Sequence, residues 1–503
     1  MKKNVYIKFW PIVIGLALIA SAQLLLPLPA QFHYNPLFVL LIVAVILYFL
    51  LTDLKNSKKM IRNALVTIIL FGTVISFAKP VQFGLDEETH LINVIRLADG
   101  GIFQYEKESL PDYKAVEHHD ILRSPSTYTN QDYWLNVKHK ESKFSGAIIK
   151  IINPSYIPSA IGWNVGKLFS RKIFVSYYLG RIFNILFYAL LVYFALKISK
   201  YYRELLYLVS TFPAVLYTCA GFHYDTIYYG FSLILLALWT NLLARDEPIG
   251  KKEMIAFQLT TLPFAFAKFP FILSAFLISI LPKRYYYSTK ERLLSFYFGL
   301  LIVFVSLVYY VHDSILTRLT GVSVLVSDIG TRPSLFYFMR HPFPLLRTFV
   351  NTMIGSLSAF SNALHYTIAN SDFLNSFSYL LFLLLLLGVS VRIRLTLKRS
   401  TKIMVWTIFA IISFLIIYAI AGDPRVYHMG DILVNGVQTR YYYFMVASLP
   451  LLVAEPSQKL FLSQSDLIAE DDQRFVRFMQ YSIAYLTILT IAVAIYTQVP
   501  HVL

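Results

Sequence analysis

The chain has 503 residues, of which 57% are hydrophobic and only 15% are charged, and its formal net charge is +17. A soluble domain could not bury so much apolar surface, so the composition excludes a soluble enzyme and predicts an all-α polytopic membrane protein. The basic residues cluster in short segments between apolar runs, as is typical of cytoplasmic loops. The positive charge therefore predicts topology and contact with membrane lipid, with no nucleic acid as a partner. The single cysteine, Cys219, lies in an apolar run and is predicted to be buried.

About 13 transmembrane helices are predicted, in a single membrane domain over residues 1–503. Lys2, Lys3 and Lys8 place the N-terminus in the cytoplasm. We favour an uncleaved first span over a signal peptide cleaved near Ala20-Ser21-Ala22, because the apolar run continues beyond that point. The predicted spans, in chain order, are about Trp10–Leu28, Leu37–Leu51, Ala64–Phe77, Phe174–Ile198, Leu205–Ala220, Tyr224–Leu243, two short helices within Met254–Leu281, Leu293–Val311, Phe373–Val391, Met404–Ala421, Tyr441–Ala454 and Tyr481–Val499.

A long polar stretch, residues 79–172, contains no apolar run long enough to cross a membrane and is predicted to form the first extracytoplasmic loop. Within this loop, Asp86–Leu97 has helical periodicity, and Gly100 supplies a stop. Pro154–Phe169 is predicted to be a second amphipathic helix that lies at the membrane interface. The loop is therefore expected to be folded.

Two later polar segments and one interrupted apolar run complete the predicted layout. Residues 312–372 are predicted to be a second extracytoplasmic segment, in which Pro344–Ala363 forms a re-entrant or interfacial helix. Residues 455–477 are predicted to be the last cytoplasmic loop. Within Met254–Leu281, prolines on either side of Lys268 favour two short helices that meet near this lysine.

An acidic pair stands at the start of the first extracytoplasmic loop, shortly after a predicted span. Carboxylates such as Asp86 and Glu87 are costly so close to lipid, and His90 lies one helical turn after Asp86 on the same face. As catalytic residues they could accept the proton of an attacking hydroxyl; alternatively, Asp86, Glu87 and His90 could hold a divalent cation that binds phosphate. The structural alternative is an N-cap Asp86 with a solvated Glu87 beside it.

The pair Arg440-Tyr441 stands where a polar segment leads into a predicted span. A guanidinium suits bidentate contact with phosphate oxygens, so both residues are candidates for binding a phosphate-containing substrate. Alternatively, Arg440 snorkels to the interface beside a tyrosine belt. Arg425 is a weaker candidate for the same role.

Three more polar residues are candidates for the same site. His223 and Asp225 lie in a very short turn between predicted spans, where they either add an imidazole and a carboxylate to the site or form a turn with an N-cap Asp225. Lys268 could bind phosphate between its two short helices, or it could be a buried interhelical partner.

A second histidine-rich group lies in the middle of the first loop. His118, His119, Asp120 and His139 are predicted to be solvated, because no second ligand pair stands at zinc-binding spacing. The sequence therefore predicts no cofactor other than the candidate divalent cation.

Together these features resemble the GT-C superfamily of membrane glycosyltransferases and, within it, the bacterial domain-of-unknown-function family 2142. The likeness rests on an acidic pair with a histidine three residues beyond it, here Asp86-Glu87 and His90, and on Gly436-Val437-Gln438-Thr439-Arg440-Tyr441. The family usually has Pro before the acidic pair and Gly directly before the Arg, and this chain departs from that pattern at Leu85 and Thr439.

The resemblance implies transfer of a sugar from a polyprenyl-phosphate donor to a glycan or lipid-linked acceptor at the outer face of the plasma membrane. In the related protein O-mannosyltransferases the first Asp of the outer pair is the catalytic base, and that position is Asp86 here. One competing hypothesis is a flippase or exporter of a lipid-linked glycan, which would not need a base beside the membrane surface. Another is a polymerase or ligase of lipid-linked polysaccharide.

Overall fold

The computed structural model is mostly helical, in agreement with the predicted fold class. It describes residues 54–320, 340–358, 372–461 and 469–498, apart from positions 55, 80, 83–85, 105, 107–108, 119–130, 145–147, 246 and 396. The predicted spans Trp10–Leu28 and Leu37–Leu51 lie outside the described residues.

The described helices are numbered here in chain order. As far as residue 243 they are α1 (Ser57–Ala78), α2 (Glu87–Ala98), α3 (Pro111–His118), α4 (Gln131–Asn136), α5 (Ile157–Phe169), α6 (Ile173–Ile198), α7 (Arg203–Thr211), α8 (Pro213–Cys219) and α9 (Asp225–Leu243). The later ones are α10 (Lys251–Leu259), α11 (Phe264–Ala267), α12 (Phe276–Ser279), α13 (Thr289–Tyr310), α14 (His312–Thr320), α15 (Pro342–Ser358), α16 (Asp372–Arg392), α17 (Arg399–Ile420), α18 (Tyr443–Phe461) and α19 (Ala469–Gln498). Short 3₁₀ helices occupy Pro154–Tyr156, Phe269–Ala275, Lys283–Tyr285 and Thr439–Tyr442.

Among the described residues, five helices are long and apolar enough to cross a membrane, namely α1, α6, α9, α13 and α17. Two shorter apolar helices cover Phe269–Ser279 and Ser378–Arg392. The protein is therefore a membrane protein with several spans, and these helices do not account for the predicted count of about 13.

The predicted span Leu205–Ala220 is divided in the structure, so the prediction of one continuous helix there is wrong. Helix α7 ends at Thr211, Phe212 is extended at φ −64° and ψ 126°, and α8 begins with Pro213. The proline ring disfavours helical backbone at the residue before it, and proline has no amide hydrogen to donate. The break therefore follows from Pro213, which the apolar pattern hides.

The predicted break at Lys268 is confirmed, although the run Met254–Leu281 is divided into more than the two short helices predicted. Lys268 ends α11 and precedes the 3₁₀ helix Phe269–Ala275, and its own backbone is at φ −145° and ψ 79°. Pro270 in the first turn of that 3₁₀ helix again disfavours a continuous helix. The side chain of Lys268 therefore projects from the junction between two helices and not from the face of one helix.

The stretch that begins at Lys79 and ends at Lys172 is called the first polar loop below, and its described part is folded as predicted. Helix α2 ends where Gly100 takes φ +89°, a value that favours glycine. Its apolar face, formed by Leu91, Val94 and Ile95, is buried in a cluster of its own together with Trp163 of α5 and Phe222. The amphipathic helices α2 and α5 therefore give the loop a small hydrophobic core.

One small sheet was not predicted. Strands β1 (Phe103–Gln104) and β2 (Ile148–Ile151) pair antiparallel, with Phe103 opposite Ile151. The sheet has two strands and joins distant parts of the first polar loop. The regular secondary structure of the other described residues is helical, apart from an isolated bridge between Lys138 and Lys172.

Helix α5 packs closely against the span α6. A Cβ atom at Gly162 would lie 2.4 Å from the carbonyl oxygen of Leu179, and one at Gly166 would lie 2.3 Å from the Cα of Ser176. Glycine at both positions therefore permits backbone contact between the two helices. This contact fixes the first polar loop on the end of a membrane span, next to the candidate site.

Candidate functional site

Seven of the predicted site residues lie in one cluster, although they come from four separate parts of the chain. Ion pairs, hydrogen bonds and ring contacts link them. Its members are Asp86, His90, His223, Asp225, Lys268, Arg440 and Tyr441. Glu87, also predicted for this site, is the exception.

Asp86 is held in an unusual backbone conformation. It precedes α2 in the left-handed region, at φ 53° and ψ 20°, and its side chain makes no capping hydrogen bond. The structural alternative of an N-capping carboxylate is therefore wrong. The carboxylate is 63% exposed, and its Oδ2 lies 3.3 Å from Nη2 of Arg440. An accessible carboxylate beside a fixed cation results.

Arg440 is buried and points into the protein, which rules out the alternative of a side chain that snorkels to the interface. Its Nη1 lies 2.6 Å from Nε2 of His223 and 3.6 Å from Oδ2 of Asp225. Its Nε has no hydrogen-bond partner among the described residues. Arg425, in contrast, is exposed and pairs with Asp423 at 2.6 Å.

Two hydrogen-bond donors face the ring of His223, although a neutral imidazole can accept only one hydrogen bond. Arg440 donates towards Nε2, and the backbone N–H of Asp225 lies 3.0 Å from Nδ1. Burial, followed by the nearby His90 and Arg440, holds the pKa of His223 well below its usual value, so the ring is neutral. The donor of Arg440 that stays unpartnered among the described residues is Nε, and it remains available to a ligand.

Asp225 and Lys268 form the buried part of the cluster. Asp225 is the first residue of α9, where the helix dipole favours a negative charge, and its side chain is fully buried. Nζ of Lys268 lies 3.1 Å from Oδ1 of Asp225, 3.2 Å from the hydroxyl of Tyr224 and 3.9 Å from the ring centre of Tyr441. Burial opposes the charge of Lys268, yet Asp225 and the two tyrosines raise its pKa. Lys268 is therefore protonated at neutral pH.

His90 lies one turn into α2, with its ring edge-on to that of His223 at 4.2 Å between centroids. Its Nδ1 is 2.7 Å from the hydroxyl of Tyr156, whereas its buried Nε2 has no hydrogen-bond partner among the described residues. Burial, together with the charges of Arg440 and Lys268, lowers the pKa of His90 to about 3. His90 is therefore neutral at physiological pH.

Glu87 follows Asp86 directly but belongs to a different, fully buried cluster, so the alternative of a solvated Glu87 is wrong. Its two carboxylate oxygens accept hydrogen bonds from Nε and Nη2 of Arg181, at 2.9 and 2.7 Å. The other three N–H groups of Arg181 bond the carbonyls of Ser76 and Lys79 and the hydroxyl of Tyr177. All five guanidinium donors are thus used inside the protein.

Sequence reasoning missed two of the charged residues in this buried cluster. Arg181 lies within the predicted span Phe174–Ile198. A charged residue inside a span normally has a buried partner, so the sequence does contain a signal for this cluster. Lys79 follows α1, and its Nζ lies 3.4 Å from the carbonyl of Tyr217. Burial lowers the pKa of Lys79 to about 8, although Glu87 opposes this shift, so the lysine keeps its proton at neutral pH.

The residues that could hold a divalent cation differ from the predicted set. Asp86, His90 and His223 can each bring one ligand atom to within 4.8 Å of the others, whereas Glu87 is occupied by Arg181. The guanidinium of Arg440 already contacts His223 and would repel a metal ion there. The surroundings thus suit an anion better than a cation.

The second histidine-rich group, predicted from His118, His119, Asp120 and His139, provides no metal-binding group among the described residues. His119 and Asp120 lie outside the described residues. His139 is not solvated as predicted: its Nδ1 pairs with Oδ2 of Asp112 at 2.5 Å, and its Nε2 lies 2.9 Å from Oγ of Ser176. Ser176 is fully buried against Gly166, so this Asp–His–Ser arrangement ties the loop to α6 and leaves no room for a substrate.

The cluster combines cations with an accessible carboxylate, the groups that oxyanion binding and general base catalysis require. Arg440 and Lys268 supply two cations, Asp86 supplies an accessible carboxylate, and His90 supplies an unpartnered ring nitrogen. Comparisons with curated proteins and with solved structures give no match. The model of the family described as "Predicted membrane protein (DUF2142)" matches residues 69–449, which include every residue of the cluster, and the chain belongs to this family.

Proposed function

We propose that this protein is a membrane glycosyltransferase that transfers a sugar from a polyprenyl-phosphate donor to a glycan or lipid-linked acceptor at the outer face of the plasma membrane. The observation that carries the proposal is the position of Asp86, whose accessible carboxylate lies 3.3 Å from the buried guanidinium of Arg440. Glycosyl transfer needs such a pair, because a base must lie beside the cations that bind the leaving phosphate.

The proposed reaction is a single displacement at the anomeric carbon. The acceptor oxygen forms a bond to this carbon, its proton passes to Asp86, and the bond from the carbon to the phosphate oxygen breaks. The products are the glycosylated acceptor, polyprenyl phosphate and a proton that leaves the exposed Asp86 to water. The anomeric configuration is inverted, since one displacement occurs.

Arg440 and Lys268 stabilise the negative charge that develops on the leaving phosphate. In the free protein Arg440 shares the single acceptor of His223 and makes a 3.3 Å contact with Asp86, and its Nε is unpartnered within the described part of the chain. A phosphate oxygen offers this guanidinium a stronger, charge-assisted bond. Movement of Arg440 towards phosphate also releases Asp86 to act as the base.

A small, mainly apolar cavity lies next to Arg440. Of the described residues that line it, only Arg440 is charged. The others are predominantly apolar, among them Phe212, Val215, Tyr229, Phe382, Val446 and Ala447. The cavity has room for about one water molecule as it stands, so an isoprenoid chain would have to part the surrounding helices to bring its phosphate group to Arg440. A nucleotide-linked donor would have no use for such a lining.

The decisive experiment measures sugar transfer from polyprenyl-phosphate donors by the purified full-length protein. Asp86→Asn should lower the rate by about two orders of magnitude or more, the loss expected when a general base is removed. Because the Asp86 side chain caps no helix, folding should be retained. Glu88→Gln, an exposed change two residues away, is the matched control and should be fully active.

The same assay separates the competing hypotheses. A polymerase or ligase would transfer a preassembled glycan but no single sugar, and a flippase would move its substrate across vesicle membranes with no transfer at all. Full transferase activity in Asp86→Asn would remove Asp86 from the chemistry.

A second substitution tests the phosphate contact. Lysine keeps the positive charge of Arg440 but lacks the planar fork, so Arg440→Lys should raise KM for the donor, lower kcat, or both, at a cost of about 1.5–3 kcal/mol. Arg425→Lys, at an exposed arginine paired with Asp423, is the control. Equal and small effects of the two changes would contradict a phosphate contact at Arg440.

A further inference from the structure

A chain of hydrogen bonds with a fixed direction leads to His90 from the opposite end of α2. It begins at Arg96, whose Nη1 lies 3.1 Å from Oδ1 of Asn93. A guanidinium can only donate, so this bond identifies Oδ1 as the acceptor and turns the amide nitrogen of Asn93 the other way. That nitrogen donates to the carbonyl of Thr89 at 3.1 Å and also contacts the Tyr156 hydroxyl as a donor.

The direction continues through Tyr156. This tyrosine is buried in the 3₁₀ helix before α5, and burial raises its pKa well above the usual value, so the hydroxyl keeps its hydrogen. Among the described residues the acceptor at hand for that hydrogen is Nδ1 of His90, at 2.7 Å. Asn93 supplies a donor to the same oxygen, which leaves the hydroxyl hydrogen free to point at His90.

We propose that Arg96, Asn93 and Tyr156 hold His90 in the tautomer with its hydrogen on Nε2, so that His90 donates a hydrogen bond to an anionic oxygen of the donor phosphate. The substrate class rests on the proposed function, whereas the tautomer rests on the bonds alone. Asn93 and Tyr156 are positioning residues, because they act through His90.

The unpartnered nitrogen is the independent sign of a ligand. Nε2 of His90 is buried and has no partner among the described residues, and a buried donor without an acceptor is costly. Lys268 and Arg440 belong to the same cluster, where both also contact Asp225, so a phosphate oxygen at Nε2 would lie near two cations. A hydrogen on Nε2 leaves no lone pair on this nitrogen, so His90 could not bind a metal ion through it.

The test uses full-length protein labelled with nitrogen-15 histidine in lipid bilayers. The chain has 11 histidines, so the signals of His90 are assigned by their loss in His90→Gln. We expect a protonated, pyrrole-type signal from Nε2 and an unprotonated, pyridine-type signal from Nδ1. Tyr156→Phe should disturb this pattern, whereas Tyr178→Phe, a buried change whose ring contacts are Phe77 and Tyr177, should preserve it. The opposite pattern in the wild type would overturn the proposal.

Two probes test what His90 binds. Polyprenyl phosphate should shift the Nε2 signal, and Zn²⁺ at equimolar concentration should not; a zinc-dependent shift would make His90 a metal ligand and overturn the proposal. His90→Asn removes the Nε2 donor, and polyprenyl phosphate should bind this variant on the order of tenfold more weakly. His90→Gln, whose longer amide can present a donor near the Nε2 position, should bind more tightly than His90→Asn.

Failure of this inference and failure of the proposed function are distinguishable. The expected tautomer with no response to polyprenyl phosphate overturns the ligand assignment. A protein that shows the expected tautomer and the response to polyprenyl phosphate but transfers no sugar would overturn the glycosyltransferase proposal. The inference that His90 donates a hydrogen bond to phosphate would then still stand.

Discussion

Replacement of Glu87 by glutamine tests whether this residue has a structural or a chemical role. The side chain of Glu87 accepts two charge-assisted hydrogen bonds from Arg181 and lies 3.3 Å from the backbone N–H of Phe222. Glutamine keeps one of the two acceptor oxygens and turns an amide group towards a guanidinium that can only donate. The change leaves the charge of Arg181 buried and unpaired, with the positive charge of Lys79 nearby.

The expected cost is large because no solvent reaches the pair. The Glu87 and Arg181 side chains are 2% and 0% exposed, so water cannot replace the lost partner. Breaking a buried ion pair by removal of one partner costs about 3–5 kcal/mol. Two lost or weakened charge-assisted bonds, at about 1.5–3 kcal/mol each, give a figure of the same order.

The measurement is the free energy of unfolding of the full-length protein in detergent or bilayers, for the wild type and Glu87→Gln. Glu88→Gln is the control on the exposed side of the same helix and should change stability by less than about 0.5 kcal/mol. The double variant Glu87→Gln/Arg181→Met removes both charges and should recover part of the loss. Wild-type stability in Glu87→Gln together with lost transfer activity would refute the structural role and return Glu87 to the chemistry.

Two further predictions concern topology and pH. In a Cys219→Ser background, a cysteine at Lys107 should react with a membrane-impermeant thiol reagent in intact cells and one at Ser400 should not, because basic loops face the cytoplasm; the reverse result would move the site to the cytoplasmic face. Acidification from pH 7 to pH 5 should destabilise the protein, because His90 takes up a proton below about pH 6.5 when unfolded but only near a pKa of about 3 when folded. This residue alone should account for about 2 kcal/mol at pH 5, with His223 acting in the same direction, and unfolding curves that coincide at the two pH values would contradict the assignment of neutral rings.

The sequence predicts the members of the site better than their grouping. Asp86, Asp225, Lys268 and Arg440 could be selected because each is costly at the edge of a membrane and so has a specific reason to be there. The break at Lys268 likewise follows from Pro270 beside it. The same logic, applied to Arg181 inside a predicted span, would have located the second buried cluster.

Other features depend on contacts that no local pattern contains. Asp86 and Glu87 are neighbours in the sequence and appear as one acidic pair, but the left-handed backbone at Asp86 sends the two carboxylates to different partners. The partner of Glu87 is 94 positions away, and the hydroxyl that bonds His90 is 66 positions away. Helical periodicity predicts which residues share a face of α2, but not what lies opposite that face.

The bonds between the first polar loop and α6 have a practical consequence for work on fragments. Within the loop, Glu87 needs Arg181, His139 bonds Ser176, and the backbone of Gln82 bonds the Tyr177 hydroxyl at 2.7 Å. All three partners belong to the transmembrane helix that follows. A recombinant fragment limited to residues 79–172 would therefore lack Arg181, the partner of Glu87, and Ser176, the partner of His139. Antigens, binding assays and crystallisation fragments should retain the chain to Ile198, in a bilayer mimetic.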